Sequence, residues 1–543
     1  MPRNPKADRN LRRPSTPGPC VTAVVSLGTT LIFALSRLSG ATTVNASSAS
    51  QSDVAAAVAS AADGDTVTIP AGTASWTRTL VVRKAITIQG AGVGVTIIKD
   101  SVQGTEFLKI TLVAGMLTRV TGIEFQDGGR TQITHAGLHI DGKNTDGSQF
   151  RMDHCNWYDM MCSIVPDTVI GVFDHIDFKV GAPNKSNGIF VFYGSRWDGG
   201  EFGDGSWAKP AGFGSSQFTF VEDCTITAPA GHLSGLTDAY AGARFVIRHN
   251  RIIGAITHTH GTESTGRPRS SRAMEIYDNY IDGHSDNRFV GSNRGGAELF
   301  YNNTLVNFWG GLAGHVLTSY HMTGTYPTFG GGDGTNGWDK NNSGNPFYSG
   351  TVSAVSGSTV SVSGTSWSNN QWAGYSAKKN SGGFVYIESN TSNSFNFKTS
   401  SNVTFSVGDS FVINKVDQCI DQPGAGSSTL ISGYNVTPPP NWTQGVEPCY
   451  IWNNTNDGAA FATYTPDTLN IKQGTHYFNN TPMPGYTPYV YPHPLTKGLP
   501  PPEQMTRNVK GNSQDNLRKE RQPWGGKKLD RKKAKKANES PTN

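Results

Sequence analysis

The sequence has few charged residues, and much of its charge lies at its ends. Asp, Glu, Lys and Arg make up 16% of the 543 residues, and the C-terminal stretches 518–521 and 527–536 contribute strongly to the formal net charge of +5. Without the two ends the body is near neutral or mildly acidic, which excludes a nucleic-acid-binding face on it. Low charge combined with 64 glycines is typical of a turn-rich all-β protein rather than a helical enzyme.

Cysteines and long apolar runs are also scarce. Six cysteines are present and Cys20 lies in the N-terminal segment, so the other five cannot form a complete set of intrachain disulfides. No CxxC or Cys/His spacing indicates zinc, and no metal-ligand set is identified. Cys155 and Cys224 are expected to fill interior positions as small apolar residues. Beyond the N-terminal segment, no stretch is apolar for long enough to span a bilayer.

The N-terminal segment is typical of an export signal. Basic residues at positions 9, 12 and 13 precede a mostly apolar run from Cys20 to Leu35, and small residues follow at 39–41 and 44–46. We predict a signal peptide over residues 1–46 and a protein that is secreted, periplasmic or held at the cell surface. The alternative is an uncleaved membrane anchor, which the short run and its interruption by Arg37 disfavour.

Residues 52–98 determine the predicted architecture. An apolar-periodic segment from Val54 to Ala62, with Ser52 or Asp53 as its N-cap, predicts a short helix. Short β-branched runs punctuated by proline and glycine follow at 66–69, 80–82, 85–88 and 95–98. Strands this short, joined by turns this tight, favour successive sides of a solenoid coil whose open end the helix would cap.

A repeat supports this interpretation. One pattern of apolar alternation followed by polar residues recurs, with equivalent positions at 155, 176, 224, 250, 279 and 303. The spacings of 21 to 29 residues, with a single one of 48, fit coils of three short strands and three turns. We expect the Asn side chains to stack at one corner and to hydrogen-bond from coil to coil.

The repeat stops near residue 320 and returns near residue 450, which divides the chain. The predicted sections after the signal are a cap and main coils over 47–320, a Gly-rich loop over 321–346, an inserted β domain over 347–416, final coils with an extended Pro-rich segment over 417–496, and a basic disordered tail over 497–543. The predicted fold class is all-β, a right-handed parallel β-helix with an N-terminal capping helix and an inserted small antiparallel β domain.

The start of the solenoid resembles the N-terminal cap and first coils of secreted bacterial members of the pectate-lyase-like superfamily, which has the pectin-lyase fold. The shared elements are the cap helix and the stretches Asp63–Val67, Ile69–Gly72 and Ile86–Gly92. The superfamily contains lyases, hydrolases, esterases, epimerases, tailspikes and adhesins, so the fold alone selects no function. The resemblance implies an Arg or Lys base, common in its polysaccharide lyases, and suggests calcium as a cofactor.

A narrower resemblance involves Asp153 and His154, which are similar to the Asp-His element of pectate lyases. Arg151 stands where that family has tryptophan, and the pair recurs one coil later as Asp174 and His175. We expect a pair that repeats with the coil to be a stacking device rather than a catalyst.

The densest polar cluster lies between the coils of Asn250 and Asn279. The candidate catalytic residues are His258, His260, Glu263, Arg267, Arg269 and Arg272, and the candidate substrate-binding residues are Glu275, Arg288, Arg294, Trp309 and Tyr320. So many cations require an anion, and a uronate carboxylate suits bidentate arginine. We expect the arginines at 267, 269 and 272 to face one groove together with at least one of the histidines or Glu263. The alternative is an Arg/Glu network that orders the loop.

Uronate cleavage by β-elimination gives these residue types a purpose. It requires a cation on the C6 carboxylate, a base for the C5 proton and an acid for the leaving oxygen. We therefore predict a monomeric polysaccharide lyase acting on an acidic, uronate-containing glycan, with no nucleic-acid partner and no membrane contact beyond the export signal.

Two alternatives remain open. A β-helix glycoside hydrolase needs converging carboxylates, and the sequence lacks the Asp-Asp pair and Arg-Ile-Lys element of polygalacturonases. Carboxylates for other hydrolase geometries are offered by Asp198, Glu201, Asp204, Glu222, Asp223 and Asp238. The second alternative is a non-catalytic, glycan-binding or adhesive solenoid on the cell surface.

Overall fold

The structure, a computed structural model, describes most of residues 41–497. The residues outside the description in this range are 133–135, 181–187, 200–202, 231–233, 262–268, 286–288, 312, 319–345, 374, 398–402, 415–420, 428–444, 467 and 469–470. The predicted export signal up to residue 40, nearly all of the Gly-rich loop and the tail from residue 498 thus lie outside the described residues. Among the residues described, no helix has both the length and the hydropathy to cross a membrane.

Short strands wind the chain into a parallel β-helix. Through the main coils, each coil contributes one strand to each of three sheets, and each of these strands pairs in parallel with the equivalent strand of the next coil. Among the described strands of these sheets the exception is the final pair, Thr455–Asn456 with Ala459–Ala460, which is antiparallel. Alternate residues of each strand point inward, and their apolar side chains fill the centre of the coil. The predicted fold class is confirmed, including its cap helix and its inserted antiparallel domain.

The three sheets are named by the numbers of strands described in them. The twelve-stranded sheet contains, in spatial order, Thr43–Asn45, Thr66–Ile69, Thr87–Gly90, Leu117–Thr121, Gln149–Asp153, Gly171–Asp174, Thr219–Glu222, Arg244–Arg248, Ala273–Tyr277, Ala297–Tyr301, Cys449–Trp452 and Tyr477–Asn479. The eleven-stranded sheet contains Gly72–Trp76, Thr96–Asp100, Glu124–Asp127, Asn156–Tyr158, Asp177–Lys179, Thr225–Thr227, Arg251–Ile253, Tyr280–Asp282, Thr304–Val306, Thr455–Asn456 and Ala459–Ala460. The nine-stranded sheet contains Leu80–Val82, Leu108–Thr111, Ala136–Asp141, Ser163–Asp167, Phe190–Tyr193, Ser234–Tyr240, Ala255–His258, Phe289–Asn293 and Gly314–Leu317.

The capping helix α1 spans Gln51–Ser60 and packs its buried side chains against the first coil. Its N-cap is Ser50, not Ser52 or Asp53, because the extended Ser50 places its side-chain oxygen 3.2 Å from the Asp53 amide. The strand Gly72–Trp76 was not predicted, since its Gly, Ala and Ser residues lack the β-branched pattern. It is held by Trp76, which is buried and donates from Nε1 to Ala49 O at 3.0 Å.

The first strand, Thr43–Asn45, lies inside the region predicted as signal peptide. It pairs in parallel with Thr66–Thr68. Thr42 adds two hydrogen bonds of 2.8 Å to Asp65, from its amide and its hydroxyl. The folded unit therefore begins before residue 46, and only the small-residue site at 39–41 would leave this strand in place after cleavage.

The predicted asparagine ladder is confirmed at the corner between the twelve- and eleven-stranded sheets. Asn250 Nδ2 donates to Asn279 Oδ1 at 3.1 Å, Asn279 to Asn303 at 3.0 Å, and Asn303 to Asn454 at 3.0 Å. Each buried amide thus satisfies the next along the axis. Cys155 and Cys224 occupy buried positions on the same corner, as expected.

The inserted domain is a closed antiparallel barrel that interrupts the coils. Its strands are Tyr348–Ser356, Thr359–Val362, Ser376–Lys379, Phe384–Asn390, Ser394–Phe397 and Ser410–Asn414. They enclose a separate core that contains Trp367, Phe395 and Phe411. The solenoid resumes afterwards because Ala297–Tyr301 pairs in parallel with Cys449–Trp452.

The Pro-rich segment after Thr481 packs along the outer face of the twelve-stranded sheet. Its apolar side chains at 483, 486, 489 and 495 join outward-facing residues of that sheet in one cluster. Arg248 donates to Tyr489 O at 2.7 Å and to Val490 O at 2.9 Å, and the His493 amide donates to Glu222 at 2.7 Å. The C-terminal segment therefore covers the middle coils on this side.

Candidate functional site

The outer face of the nine-stranded sheet carries an accessible group of titratable side chains. In its strands, residues such as Ile140, Phe192 and Ala239 point into the core. The residues on either side of them point outward, because side chains alternate along a strand. Among the outward-facing residues, Ala136, Val165 and Val191 are buried and form a small apolar cluster, against which Tyr193 and Tyr240 pack.

Two of the predicted catalytic residues, His258 and His260, meet Asp238 on this face. His260 Nε2 lies 2.8 and 3.0 Å from the two carboxylate oxygens of Asp238. His258 Nε2 lies 3.9 Å from Asp238 Oδ1, beyond hydrogen-bond distance. The side chain of Asp238 is 4% exposed, and those of His258 and His260 are 19% and 13% exposed. A buried carboxylate thus lies beneath two reachable imidazoles.

His258 is held neutral at physiological pH. Burial lowers its pKa to about 4, and the nearby charges of Arg294 and His260 act in the same direction, against the opposing effect of Asp238. Arg294, a predicted substrate-binding residue, follows the neighbouring strand Phe289–Asn293, and its amide donates to Thr259 Oγ1 at 2.9 Å. A neutral imidazole near an arginine can act as a base, while the arginine binds an anion.

A tyrosine pair borders this group. The hydroxyl groups of Tyr193 and Tyr240 hydrogen-bond to each other, and their ring centroids are 4.5 Å apart. The ring of Tyr240 also meets the His260 ring edge-on, at 5.8 Å between centroids. The strand register pairs the two tyrosines directly, which places them side by side on the outer face.

A second polar group continues the same outward row toward the N-terminal coils. Asp141 pairs with Asp167 in the register, and Asp167 pairs with Tyr193. His139, two residues before Asp141, has Nε2 3.3 Å from Asp141 Oδ1 and Nδ1 3.3 Å from Glu106 Oε1. Beside it opens a cavity of about 290 Å³ lined by Gly104, Thr105, Glu106, Ala136, His139, Val165 and Tyr193.

Arg269 and Arg272 lie in the interior and do not face a groove. Arg269 is completely buried, with ion pairs of 2.7 Å to Asp204 and 2.8 Å to Asp421. Arg272 is paired with Glu447 and donates to Lys209 O at 2.8 and 3.0 Å. The expectation that these two arginines face one open groove is wrong, and the ordering network that was its alternative describes them better.

Glu275 and Trp309 are also apart from the outer face of the nine-stranded sheet. Glu275 is buried in the twelve-stranded sheet, accepts from the Gly214 amide at 2.8 Å and from the Tyr486 hydroxyl, and has its pKa raised by burial. Trp309 is 52% exposed on the short 3-10 turn Trp309–Gly311, which follows the strand Thr304–Val306 of the eleven-stranded sheet. The remaining candidates, Glu263, Arg267, Arg288 and Tyr320, lie outside the described residues.

The Asp-His pairs are part of the stacked corner, as predicted. The rings of His154 and His175 are parallel within 2° and 5.0 Å apart. Each ring nitrogen Nδ1 contacts the aspartate that precedes it, at 2.7 and 2.8 Å. The two aspartates are fully buried against Arg119 and Arg151, so the repetition reflects packing from coil to coil.

Sequence reasoning missed most of the residues on the outer face. Tyr193, Tyr240, His139, Asp141 and Asp167 were not singled out, and Asp238 was noted only as an available carboxylate. The signal that identifies them is a polar residue on each side of an inward-facing one, as in His139-Ile140-Asp141 and Asp238-Ala239-Tyr240.

Calcium, which the family resemblance suggested, is not matched by the donors on this face. Of the described residues, the group that could hold a metal ion comprises His139, Asp141 and Asp167, whose ligand atoms lie within 4.8 Å of one another. Calcium takes six to eight oxygen ligands, whereas this group supplies one imidazole nitrogen and two carboxylates. These donors therefore do not fit a calcium ion.

No family model matches the chain, and no curated protein matches it. Among solved structures, an alginate lyase from Paenibacillus sp. str. FPU-7 is similar over 49% of this chain and 95% of that chain, with 15% identity and a TM-score of 0.30. The catalytic domain of a GH87 alpha-1,3-glucanase in complex with nigerose is similar over 51% of this chain and 54% of that chain, with 12% identity and a TM-score of 0.25. At these values neither likeness bears on substrate or reaction.

Proposed function

We propose that the outer face of the nine-stranded sheet binds a polysaccharide and that the group around His258 cleaves an acidic, uronate-containing chain by β-elimination. The observation that carries this proposal is a neutral His258 close to the Arg294 cation and beside the Asp238–His260 pair, on an open face. β-Elimination needs an unprotonated base at the C5 proton and a cation at the adjoining C6 carboxylate.

In the proposed reaction, Arg294 pairs with the C6 carboxylate and makes the C5 proton more acidic. His258 takes that proton, the C5–H electron pair becomes the C4–C5 double bond, and the bond from C4 to the leaving oxygen breaks. Tyr240 gives its hydroxyl proton to that oxygen, while Tyr193 and His260 hold the Tyr240 ring in place. Water then returns a proton to Tyr240 and removes one from His258.

The protein's export, by the N-terminal segment predicted above, would bring this face to extracellular glycans. A protein acting on polymers outside the cell needs an open face rather than a closed pocket, and the row from Asp141 to Tyr240 runs along the solenoid axis. A single chain contains the whole group, so the proposal requires no second copy.

A glycoside hydrolase is the second candidate, and one observation favours it. Asp141 and Asp167 project side by side from the same face, with oxygens within 4.8 Å of each other. Two neighbouring carboxylates are the arrangement that retaining glycosidases use, at a separation of about 5 Å. However, Arg196 lies 3.0 Å from Asp141 and 3.6 Å from Asp167, so both carboxylates are already engaged by a guanidinium.

Product analysis tests both candidates. The purified protein is incubated with a panel of polyuronates and neutral glycans, and unsaturated ends are followed by ultraviolet absorbance alongside reducing ends. Unsaturated products from a uronate polymer, lost in Tyr240→Phe, are the expected result. Reducing ends without unsaturation, lost in Asp167→Asn, would replace the lyase with the hydrolase. Binding without any cleavage would identify the adhesive alternative.

A further inference from the structure

His139, Asp141 and Asp167 converge from two adjacent strands of the nine-stranded sheet. Their three ligand atoms lie within 4.8 Å of one another, and both carboxylates are more than nine-tenths buried. The proposed elimination chemistry around His258 does not use these residues. They lie further toward the N-terminal coils, past Tyr193 in the outward row.

Two atoms in this group are buried and lack a hydrogen bond among the described residues. They are His139 Nε2 and Asp141 Oδ1, which face each other at 3.3 Å. His139 Nδ1 contacts Glu106 Oε1 at 3.3 Å, so Nε2 is the ring nitrogen that faces Asp141. Apart from this contact and the ion pair with the exposed Arg196, Asp141 Oδ1 has no polar partner among the described residues, and a buried carboxylate oxygen of this kind is favourable to a bound cation.

The surrounding hydrogen bonds orient the three side chains. Glu106 fixes the His139 ring through Nδ1, the arrangement by which carboxylates support metal-bound imidazoles. The Asp167 carboxylate accepts from the Ser195 amide at 3.1 Å, from the Thr168 hydroxyl at 3.0 Å, and from the Ser195 hydroxyl. Outer hydrogen bonds of this kind hold ligands in position before the ion arrives.

Arg196 is the cation that neutralises the group in this structure. Its guanidinium nitrogens lie 3.0 Å from Asp141 Oδ1 and 3.6 Å from Asp167 Oδ2, but its side chain is 44% exposed. Because nearly half of its side chain is exposed, Arg196 can turn into solvent and leave the two carboxylates to an incoming ion. It therefore competes with an incoming ion rather than closing the site.

We propose that His139, Asp141 and Asp167 bind a divalent transition-metal ion, with zinc or manganese as the class. One imidazole and two carboxylates suit these ions, whereas calcium and magnesium prefer oxygen donors alone. Three protein ligands leave a coordination position open toward the cavity beside Glu106 and Tyr193. The site stands independently of the proposed elimination reaction.

Equilibrium dialysis of the chelator-stripped full-length protein against Zn²⁺, Mn²⁺ or Ca²⁺ tests this inference, with bound metal measured by elemental analysis. We expect one equivalent of Zn²⁺ or Mn²⁺ and no Ca²⁺ retained by this group. His139→Gln and Asp141→Asn should lower the affinity about 100-fold or more, and Glu106→Gln about 10- to 100-fold. Arg196→Gln should raise it, because the competing cation is gone.

The matched control is His175→Gln, which removes an imidazole with the same Nδ1–carboxylate contact on a different sheet. It should leave the metal stoichiometry unchanged. Circular dichroism checks that each variant folds. If Asp141→Asn does not fold, Glu106→Gln provides the test in its place. Absence of bound Zn²⁺ and Mn²⁺ from the wild-type protein, or binding that is unchanged in both His139→Gln and Glu106→Gln, would overturn the proposal.

Discussion

The outer faces of the nine-stranded and twelve-stranded sheets are built from the same residue types and differ in what covers them. On the twelve-stranded face, Arg248 and Glu222 are both fully buried and joined at 2.6 Å beneath the C-terminal segment. On the nine-stranded face, His258, His260 and Arg196 remain partly exposed above buried aspartates. Charged groups that are paired and covered stabilise the coils. Charged or titratable groups that stay exposed to solvent above a buried carboxylate are suited to binding or catalysis.

Repetition along the axis also separates the two faces. The pairs Arg119–Asp153 and Arg151–Asp174 repeat the same contact in successive coils. The Asp238–His260 contact and the Tyr193–Tyr240 contact have no such repeat among the described coils. A contact that recurs in successive coils serves packing. A contact that occurs at only one place along the sheet is a stronger candidate for function.

The largest expected effect comes from replacing His258 on the nine-stranded face, in comparison with His175 in the stacked corner. His258→Gln should lower the rate of glycan cleavage about 10²- to 10⁴-fold, because it removes the proposed base. His175→Gln removes an imidazole from the stacked corner and should leave the rate within about twofold. Initial rates with the substrate identified by product analysis provide the measurement. Equal rates in the two variants would remove the functional distinction between the faces.

Breaking the covered ion pair should affect stability instead of rate. Arg248→Met leaves the Glu222 carboxylate buried without its guanidinium partner, which should lower the free energy of unfolding by about 3–5 kcal/mol. Urea denaturation measures the loss. Lys179→Met, which removes a surface ion pair with the half-buried Asp177 at 3.4 Å, is the control and should cost less than about 1 kcal/mol. Similar losses in both variants would contradict the contrast between covered and open charges.

The asparagine ladder should contribute less than the buried ion pair. Asn279→Ala removes an amide whose Nδ2 bonds to Ile247 O, Tyr277 O and Asn303, and it leaves buried acceptors unpaired. We expect a loss of about 1–3 kcal/mol. Asn370→Ala, in a turn of the inserted barrel, is the control in the same denaturation experiment. A loss below about 0.5 kcal/mol for Asn279→Ala would show that the ladder is dispensable.

The two faces should also differ in the pH range over which they lose stability, and the changes in stability should be smaller than those above. Burial lowers the pKa of His258 to about 4, so the unfolded chain, whose histidine titrates near 6.5, binds that proton first. Stability should therefore fall as pH drops from about 6.5 to about 4, and His258→Gln should remove this slope.

On the covered face the window is more acidic. Burial acts to raise the pKa of Asp153, but hydrogen bonds from Arg119 and His154 outweigh it and lower that pKa to about 2. Its contribution is complete above the unfolded value of about 3.9 and is lost as pH falls through about 2. Thermal denaturation from pH 7 to about pH 2 measures both windows. A slope between pH 6.5 and 4 that survives in His258→Gln would show that another group causes it.

Most of the fold could be predicted because its determinants are local. The strands Thr66–Ile69 and Leu80–Val82 have β-branched residues between Pro, Gly and Lys, and the asparagine corner recurs at regular spacing. The N-cap was misplaced by two or three residues, since Ser48, Ser50, Ser52 and Asp53 are all good capping residues. Only the geometry of the chain selects Ser50.

The site was harder to predict because charge density in the sequence does not give side-chain direction. Arg269 and Arg272 belong to the densest basic stretch, yet their partners Asp421 and Glu447 are more than 150 residues away and hold them in the interior. His258 and Asp238 are 20 positions apart and meet only because successive coils stack. Such contacts depend on the register between strands of successive coils, and a single sequence does not reveal that register.

The C-terminal segment has a consequence for how the molecule is assembled. The amide of His493 bonds to Glu222, 271 residues earlier in the chain, and Tyr491 bonds to Asp223 across 268 residues. During synthesis, the middle coils therefore remain uncovered on one flank until the segment after Thr481 has emerged. Attachment of this segment must follow the winding of those coils, and a product truncated before Thr481 would expose that flank to solvent.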